Sequence, residues 1–308
     1  MASPKLIVLG SVNADHVLQV DDFPRPGETV TGHGYQVIPG GKGANQAVAA
    51  ARLGADIGFI ACVGDDDFGR RMIDKFQTDG MDTTGVMSVA GLPTGIALIQ
   101  IAGSGENSIS ISPEANAALT PERLEPYLPL LQSADTVLMQ LESPLESVLL
   151  AARKACAAGA RVILNPAPAQ VLPDSLLADL AMITPNETEA EVLTGVTVES
   201  EDDARRAAEI LHDKGVETVL ITLGSQGAYL SSPDASGLIP GYRVEPVDTT
   251  AAGDTFNGAL VVALQDGQDM HSAIGFAHAA AALSVTRLGA QTSIPTLEEV
   301  HAFMKENA

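Results

Sequence analysis

The sequence has no tryptophan, only two cysteines, and aromatic residues make up 4% of its 308 positions. Two cysteines without a CxxC pattern exclude a disulfide framework and a cysteine-rich metal site. Cys62 lies in the apolar run FIACVG and Cys156 in LLAARKACAAG, so the pattern predicts two buried free thiols in a reducing compartment. The N-terminal segment MASPKLIVLGSVNAD has too few consecutive apolar residues for a signal-peptide core. We therefore expect a cytoplasmic protein.

Basic residues are also scarce, with 17 Lys+Arg against 39 Asp+Glu and a formal net charge of −22. Nucleic acids and anionic membranes attract proteins through positive charge, so this balance argues against both as main partners. The longest uncharged stretch, 83–105, is broken by Gly, Pro, Thr and Ser and contains the strand-like LIQIA. This composition argues against a membrane span.

Several common catalytic motifs are absent. The sequence contains no GxxxxGK[ST] phosphate loop, no GxSxG elbow, no HExxH and no GxGxxG after a strand. The missing GxGxxG excludes a Rossmann-type dehydrogenase. The histidines have no metal-ligand spacing, which argues against a zinc site. They are His16, His33, His212, His271, His278 and His301.

Apolar, β-branched runs alternate with helical patterns along most of the chain. This alternation predicts an α/β fold, in which helices cover both faces of a mainly parallel central sheet as a three-layer α/β/α sandwich. The predicted strands are 5–9, 57–63, 136–141, 161–164, 181–184 and 218–223. The predicted helices are 43–53, 67–79, 121–132, 144–158, 186–194, 201–214, a segment from about 252 to 265, and 273–286.

Two segments, 16–39 and 94–112, interrupt this alternation with short strand patterns separated by turn residues. They predict a small β-sheet inserted into a core made of 1–15, 40–93 and 113–308. Nothing in the chain is left to cover one face of this sheet. We therefore expect it to act as a lid over a ligand or as a dimer interface.

The segment PVDTTAAGDTFNG at 246–258 combines a strand-like run, a turn of small residues and the start of a helix. If Ala251, Ala252 and Gly253 begin that helix, their free N–H groups and the helix dipole can hold an anion such as a transferring phosphoryl group. Asp254 then lies in the first turn beside the anion. Alternatively, Asp254 is only an N-terminal cap that stabilises the helix dipole.

Two further segments carry groups that can bind hydroxyls. GGKGANQ at 40–46 joins a strand to a helix and places Lys42 and Asn45 close together, which suits a polyol. In GSVNAD at 10–15, Asn13 and Asp15 are two residues apart and share a face of an extended segment, where they could bind vicinal hydroxyls. The alternative for this pair is a turn stabilised by Asn and Asp side chains.

GGKGANQA and DTTAAGDTFNGA resemble the two signature segments of the PfkB-type carbohydrate kinases, and the similarity to the ribokinase group of that family extends over nearly the whole chain. The resemblance implies an α/β sandwich with a β-lid and ATP-dependent phosphorylation of D-ribose at O5. A related kinase for deoxyribose, a ketohexose or a nucleoside is the alternative. A binding protein without turnover is disfavoured because Asp254 is present. The other matching segments are GSVNADH, LMQLESPLESV, NPAPA, ITPNETEAE, ITLGSQG and FAHAAAALSVTRLGAQ.

The resemblance implies roles for individual residues. Asp254 matches the catalytic base, and the N–H groups of Ala251, Ala252 and Gly253 match the anion hole. Glu189 matches a residue that organises hydrated Mg²⁺, although an N-capped helix start also explains the motif Asn186 to Glu189. The sugar-binding positions are Asn13, Asp15, Gly41, Lys42, Asn45, Glu142 and Asp254. The nucleotide-binding positions are Asn186, Thr222, Gly224, Gly227, Gly253 and His278, the last beside adenine.

A monovalent cation, K⁺, is also implied next to the anion hole. Arg287 is expected to offer its backbone carbonyl, since its guanidinium would repel the ion. From the resemblance and the uncovered lid face we also expect a homodimer. The matching cation positions are Asp248, Thr250, Ser284, Arg287, Gly289 and Ser293.

Overall fold

A computed structural model of the chain describes residues 5–307. The strands are β1 (Leu6–Leu9), β2 (Asn13–Val20), β3 (His33–Gly40), β4 (Ile57–Gly64), β5 (Asp82–Val89), β6 (Gly95–Ala102), β7 (Asn107–Ser112), β8 (Thr136–Met139), β9 (Arg161–Leu164), β10 (Met182–Ile183), β11 (Thr218–Thr222), β12 (Ala228–Ser231) and β13 (Ser236–Ile239). The helices are α1 (Lys42–Arg52), α2 (Asp67–Thr78), α3 (Pro121–Leu124), α4 (Leu128–Ser133), α5 (Leu145–Ala157), α6 (Asp174–Leu177), α7 (Glu187–Thr194), α8 (Glu201–Asp213), α9 (Ala252–Gln265), α10 (Met270–Val285) and α11 (Leu297–Glu306).

A nine-stranded sheet forms the centre of the molecule, in the order β13-β12-β11-β10-β9-β8-β1-β4-β5. The pairs from β11 to β5 are all parallel, and β12 and β13 extend the sheet antiparallel. Successive residues of β1 enter different cores: Leu6 and Val8 pack on one face, Ile7 and Leu9 on the other. A strand buried on both faces has no polar side, which explains the continuous apolar runs in the sequence.

Helices cover both faces of this sheet. Residues of α1, α2, α9, α10 and α11 complete one core, and residues of α3 to α8 complete the other. This arrangement confirms the three-layer α/β/α fold with a mainly parallel central sheet.

A separate four-stranded sheet, the lid sheet, has the order β3-β2-β6-β7. Strand β2 is antiparallel to β3 and parallel to β6, and β6 is antiparallel to β7. Strand β2 begins at Asn13, only four residues after β1 ends at Leu9. Asn13 and Asp15 therefore belong to an extended strand of the lid sheet, which removes the turn as an alternative for this pair.

The two faces of the lid sheet differ in composition. One face, the apolar lid face, continues outward from Asp15 and carries Val17, Ile38, Ile99, Ile101, Ile109 and Ile111, by the pairing register. On this face Ile109 is 52% and Ile111 45% exposed. The opposite face is mixed, with His16, Leu98 and Ser110 in one row. The alternating pattern in the sequence thus produces an aliphatic face that no part of residues 5–307 fully covers.

The prediction that both cysteines are buried is wrong for Cys156. Cys62 is buried in β4, but Cys156 is exposed. The buried face of α5 is formed by Ser147, Val148, Ala151, Ala152 and Ala155. The position after Ala155 is turned by about 100°, away from that face, because an α-helix has 3.6 residues per turn.

The segment predicted as one helix over 121–132 is divided into α3, a 3₁₀ turn at Glu125–Tyr127, and α4. Pro126 and Pro129 lack the N–H that a continuous helix requires, so the helix is interrupted there. Among the helices of residues 5–307, none combines the length and the apolar character that crossing a bilayer would require.

Candidate active site

Several of the predicted site residues follow the carboxyl ends of parallel strands. Asn13 follows β1, Glu142 follows β8, Asn186 follows β10 and Gly224 follows β11. Parallel strands bring these ends to one edge of the sheet, where α/β proteins bind ligands. A cleft of about 230 Å³ lies there and includes Asp254. Its other lining residues are Lys42, Asn165, Ala167, Thr184, Asn186, Glu189, Thr222, Thr249, Ala251, Ala252, Gly253 and Asn257.

Asp254 is buried, with 6% of its surface exposed, in the first turn of α9. Its Oδ2 accepts a hydrogen bond from Asn45 Nδ2 at 2.9 Å, and its Oδ1 accepts one from Gln46 Nε2 at 3.0 Å. Helix α9 has no side-chain cap hydrogen bond. The carboxylate therefore faces two amides of α1 and does not cap its own helix, which removes the hydrogen-bonded cap as an explanation for Asp254.

The start of α9 has an unusual backbone. Ala251 adopts a left-handed conformation, φ 61° and ψ 14°, that non-glycine residues rarely adopt. Ala252 N–H donates to the Thr249 carbonyl at 3.2 Å. Within residues 5–307, the N–H groups of Ala251 and Gly253 have no protein acceptor. A Cβ on Gly253 would meet no atom within 4 Å, so this backbone borders open space where an anion can approach.

Glu142 connects the strand ends to α1. Its Oε2 accepts from Ser11 Oγ at 2.6 Å and from the backbone N–H of Lys42 at 3.0 Å. Burial lowers the pKa of the Lys42 ammonium, but the surrounding carboxylates of Asp254, Glu142, Glu189 and Asp15 outweigh burial and raise it above its ordinary value. Lys42 is therefore a permanent cation in an acidic site.

Gly41 immediately precedes α1 in a tight space. It has φ 92°, and an added Cβ would lie 2.8 Å from Asn13 N and 2.9 Å from Ser11 O. Only glycine allows α1 to begin this close to the segment that carries Asn13. Asn13 is buried and its Oδ1 accepts from Asn116 Nδ2 at 2.8 Å, which leaves the Asn13 amide group to donate elsewhere.

Asp15 is the most perturbed acid of the site. Burial, and secondarily the carboxylates of Glu142 and Asp254, raise its pKa from 3.8 to about 7, while Lys42 opposes the shift. Its Oδ1 is buried without a hydrogen-bond partner among the described residues. A buried acceptor that the protein leaves unpaired is suited to a donor on a ligand, such as a hydroxyl group.

We expect Asp15→Asn to be more stable than the unmodified chain at pH 8, by about 2–4 kcal/mol in the free energy of unfolding. Because the pKa of Asp15 is higher in the folded than in the unfolded state, protonation of this side chain favours folding. That stabilisation is fully present below pH 4 and is lost as pH rises through about 7. The difference in unfolding free energy between Asp15→Asn and the unmodified chain must therefore be smaller at pH 5 than at pH 8. Urea unfolding of both proteins without ligand, at both pH values, measures this difference.

The control for this prediction is Asp21→Asn, which removes an exposed carboxylate just after β2. It should leave the unfolding free energy within about 0.5 kcal/mol at either pH, as is usual for surface substitutions. A lower stability of Asp15→Asn than of the unmodified chain at pH 8 would contradict the burial argument.

The segment Asn186 to Glu189 forms a capping box at the start of α7. Glu189 N–H donates to Asn186 Oδ1 at 2.8 Å, and Asn186 N–H donates to Glu189 Oε2 at 2.9 Å. Both side chains also line the cleft. Burial raises the pKa of Glu189 above its ordinary value, although the Asn186 N–H and Lys42 oppose that shift. The helix-cap interpretation is thus correct. Because both side chains also line the cleft, either one can still contact a ligand there.

Gly227 and His278 lie next to the loop after β13 and are not among the residues that line the cleft. A Cβ on Gly227, where φ is 110°, would lie 2.1 Å from Ile239 O and 2.6 Å from Gly241 N. His278 Nδ1 contacts Pro240 O at 3.2 Å, and its ring packs 5.2 Å from that of Phe256. Burial lowers the pKa of His278 to about 4, so the imidazole is neutral at pH 7. Its Nε2 is buried without a partner among the described residues.

Hydrogen bonds connect part of the expected cation set. Asp248 Oδ1 accepts from Thr250 Oγ1 at 2.6 Å and from Thr250 N at 2.9 Å, and Asp248 Oδ2 accepts from Gly289 N at 2.9 Å. Burial raises the pKa of Asp248, but these hydrogen bonds outweigh it and the net shift is downward. The Arg287 guanidinium donates to Glu299 at 2.7 Å. This cationic group is therefore already neutralised by Glu299.

Ser284 and Ser293 are fully buried, and their hydroxyls donate to the carbonyls of Ala281 and Ala290 at 2.8 and 2.7 Å. Their oxygens keep lone pairs, so the donor set is rich in oxygen, as a hard cation requires. Within residues 5–307 there is no group of three or more His, Cys, Asp or Glu side chains that could hold a metal ion.

Several buried polar residues around Asp254 were not predicted from the sequence. They include Gln46, Gln140 and Asn165, which are joined by hydrogen bonds of 2.5–3.0 Å. Thr184 Oγ1 donates to Asn257 Oδ1 at 2.6 Å, and Asn257 Nδ2 donates to Gly253 O at 2.8 Å. Each of these residues lies within or next to a segment that resembles the family. In the sequence, only that position could have indicated a role in the site.

Comparison with known proteins identifies the family. The model of the "pfkB family carbohydrate kinase" matches residues 3–297. The chain belongs to the pfkB family of carbohydrate kinases. The ribokinase of Haemophilus influenzae is 52% identical to this kinase over 300 residues, covering 97% of this chain and 98% of the relative.

Solved structures agree with this assignment. The ribokinase of Thermotoga maritima superposes with a TM-score of 0.90 at 42% identity, over 98% of this kinase and 99% of that chain. Arabidopsis thaliana ribokinase, complexed with ribose and ATP, superposes with a TM-score of 0.92 at 35% identity, over 99% of both chains. The expected family and fold are both confirmed.

Proposed function

We propose that the kinase transfers the γ-phosphoryl group of ATP to O5 of D-ribose, giving D-ribose 5-phosphate and ADP. The observation that carries this proposal is the placement of Asp254. Its buried carboxylate lies between two amides of α1 and the first N–H groups of α9. A base and an anion-binding backbone thus meet in one cleft. Similarity to ribokinases over nearly the full length supports ribose as the sugar.

In the reaction, Asp254 accepts the proton of the ribose 5-hydroxyl. As the O–H bond breaks, O5 forms a bond to the γ-phosphorus, and the bond from that phosphorus to the β,γ-bridging oxygen breaks. ADP leaves with that electron pair. The N–H groups of Ala251 and Gly253 stabilise the charge on the transferring group, with Ala252 N–H joining them once released from Thr249. Positioning and charge stabilisation account for most of the catalysis in phosphoryl transfer.

Ribose is held by the polar residues on both sides of Gly41. The Asn13 amide donates to a sugar oxygen, and Asp15 accepts from hydroxyls at positions 2 and 3. Lys42, Asn45 and Glu142 bind the remaining sugar oxygens. A sugar that lacks one of these hydroxyls leaves a buried group unpaired, which costs about 1–3 kcal/mol.

ATP occupies the side of the cleft formed by Asn186 and Thr222 and extends to the turn at Gly224 and Gly227. His278, neutral at pH 7, lies beside adenine. Glu189 would hold a hydrated Mg²⁺ indirectly, since its Oε2 already accepts from Asn186 N–H in the capping box. The ion would offset the charge of the nucleotide phosphates.

A monovalent cation would be held by the carboxylate of Asp248 and by oxygens of Thr250, Ser284, Arg287, Gly289 and Ser293. The residues fit, since the donors are oxygens and the Arg287 guanidinium is engaged by Glu299. Asp248 lies two residues before Thr250 and three before Ala251, so a cation here stabilises the backbone that begins α9.

We expect activity in K⁺ to exceed activity in Na⁺ or in Tris alone by roughly tenfold, because a larger ion suits a set of carbonyl and hydroxyl oxygens. Initial rates are measured at equal ionic strength, with Mg²⁺ and ATP saturating. Asp248→Asn should reduce the difference between the salts, whereas Asp234→Asn, an exposed carboxylate between β12 and β13, should preserve it. Equal rates in all three media would exclude the cation site.

The apolar lid face supports a homodimer in which two lid sheets pair over the sugar sites. Contiguous aliphatic residues that the chain leaves uncovered are typical of an interface, and a two-fold axis lets the same patch serve both protomers. The free thiols and the acidic charge favour a cytoplasmic enzyme with no nucleic-acid or membrane partner.

A substrate panel tests the proposed function. ATP turnover is measured in parallel with ribose, 2-deoxyribose, fructose and adenosine, with Asp254→Asn as the blank. The proposal predicts the highest kcat/KM for ribose. A higher value for another acceptor would assign the enzyme to that substrate, and no turnover with any of them would refute the kinase activity.

A further inference from the structure

The most buried polar contact of Asp254 involves Gln46, a residue to which neither the sugar nor the nucleotide role applies. Gln46 lies on α1 and is fully buried. Its Nε2 is 3.0 Å from Asp254 Oδ1 and 3.0 Å from Asn165 Oδ1, so both amide hydrogens have an acceptor. Gln46 and Asn45 thus each donate to a different oxygen of the Asp254 carboxylate.

The orientation of the Gln46 amide is determined by its neighbours. Gln140 Nε2 donates to Gln46 Oε1 at 2.5 Å, so the oxygen of Gln46 faces Gln140 and its NH₂ group faces Asp254. Asn165 Nδ2 donates to Thr184 O at 3.1 Å, which turns the Asn165 oxygen toward Gln46. Reversal of either amide would place donors against donors, at a cost of about 1–3 kcal/mol for each unpaired buried group.

This network connects the base to three strand ends. Gln140 follows β8, Asn165 follows β9 and Thr184 follows β10. The other side chains of this network are the amides of Gln46, Gln140 and Asn165 and the hydroxyl of Thr184. None of them titrates near pH 7. Gln46 therefore gives the carboxylate a fixed donor whose protonation does not change with pH.

We propose that Gln46 is the positioning residue that holds the Asp254 carboxylate in the orientation needed to accept the proton of the substrate hydroxyl. The inference rests on the proposed function of Asp254 as the base. Gln46 contacts the base itself and has no role in binding the sugar or the nucleotide. It acts by occupying Oδ1 from the side of α1, so that the carboxylate cannot rotate and its remaining lone pairs face the cleft.

The test compares Gln46→Glu with Gln46→Leu. A protonated glutamic acid donates to Asp254 as the amide does, whereas an ionised one places two carboxylates about 3 Å apart. We expect the kcat of Gln46→Glu to fall with rising pH over a range in which the unmodified enzyme does not lose activity. Gln46→Leu should lose roughly 10–100-fold in kcat at every pH, with the KM for ribose changed less than about threefold.

Gln265→Glu is the matched control, since it adds a carboxylate to α9 about 16 Å along the helix from Asp254. It should keep the unmodified pH profile. If Gln46→Glu also keeps that profile, or if Gln46→Leu raises KM and leaves kcat unchanged, the positioning role is wrong. Thermal unfolding of each variant separates these outcomes from a loss of fold.

A spectroscopic readout keeps the inference testable apart from the proposed function. The side-chain NH₂ resonances of Gln46, assigned by their loss in Gln46→Leu, should move when Asp254 is replaced by Asn. Unmoved resonances would overturn the contact. An unmodified enzyme that phosphorylates no sugar, combined with resonances that do move, would refute the proposed reaction and leave the contact established.

Discussion

Asp254→Asn is expected to lower kcat by roughly 10²–10⁴, the usual range for losing a general acid–base group, while ribose binding persists. The asparagine keeps the shape of the side chain but cannot accept the proton. Its NH₂ group also faces a donor from Asn45 or Gln46, so some loss of stability is expected. Turnover is measured with saturating ribose and ATP, and sugar binding by calorimetry.

Asp67→Asn is the matched control for this substitution. Asp67 also lies in the first turn of a helix, α2, but its side chain is 91% exposed. If Asp254 served only the helix dipole, both variants would lose about 0.3–1 kcal/mol of stability and no catalysis. Unchanged turnover in Asp254→Asn would refute its assignment as the base.

The second large effect is expected from the double variant Ile99→Asp with Ile101→Asp. Both residues lie on the apolar lid face. Both isoleucines are half-buried in the single chain, so completing their burial in a dimer contributes about 1.5–3 kcal/mol per protomer. Carboxylates in their place also add a desolvation cost and should dissociate the dimer at micromolar concentration. Ribose KM should rise about tenfold or more, while ATP contacts in the core survive. Light scattering and ribose titration measure the two effects.

Leu98→Asp tests whether the loss of the dimer is specific to the apolar lid face. Leu98 is adjacent to Ile99 on the same strand and points to the other side of the lid sheet. Leu98 is already 57% exposed, so its replacement should leave the dimer intact. An unmodified chain that is monomeric at micromolar concentration and fully active would refute the dimer.

The central fold could be predicted from the sequence because strands buried on both faces leave continuous apolar runs, as β4 and β11 do. Strand β5 was not predicted: it lies at the edge of the sheet, only its Gly85 and Val89 are buried, and it carries polar residues such as Asp82 and Thr84. The hairpin of β12 and β13 was missed because its strands, AYLS and SGLI, are partly polar. They lack the continuous apolar run that marks β1, β8 and β9 at the same length.

The site was predictable to the extent that its residues lie close together in sequence. Lys42 and Asn45 share one motif, as do Ala251 to Asp254. By contrast, Gln46 and Asp254 are 208 positions apart, and Gln46 and Asn165 are 119 apart. No local pattern relates such residues, since their contact depends on how the strand ends align in the folded sheet.

The junction at Asn13 divides the proposed site between two parts of the molecule. Asp15 belongs to the lid sheet, whereas Asp254 belongs to a helix of the core. A bound sugar must therefore contact the lid sheet as well as the core. The binding energy of its 2- and 3-hydroxyls then lowers the barrier to phosphoryl transfer. We expect 2-deoxyribose to differ from ribose more in kcat than in KM, as induced fit predicts. Water makes no such contacts with Asp15, so we expect it to be a poor acceptor and ATP to be spared from hydrolysis when no sugar is bound.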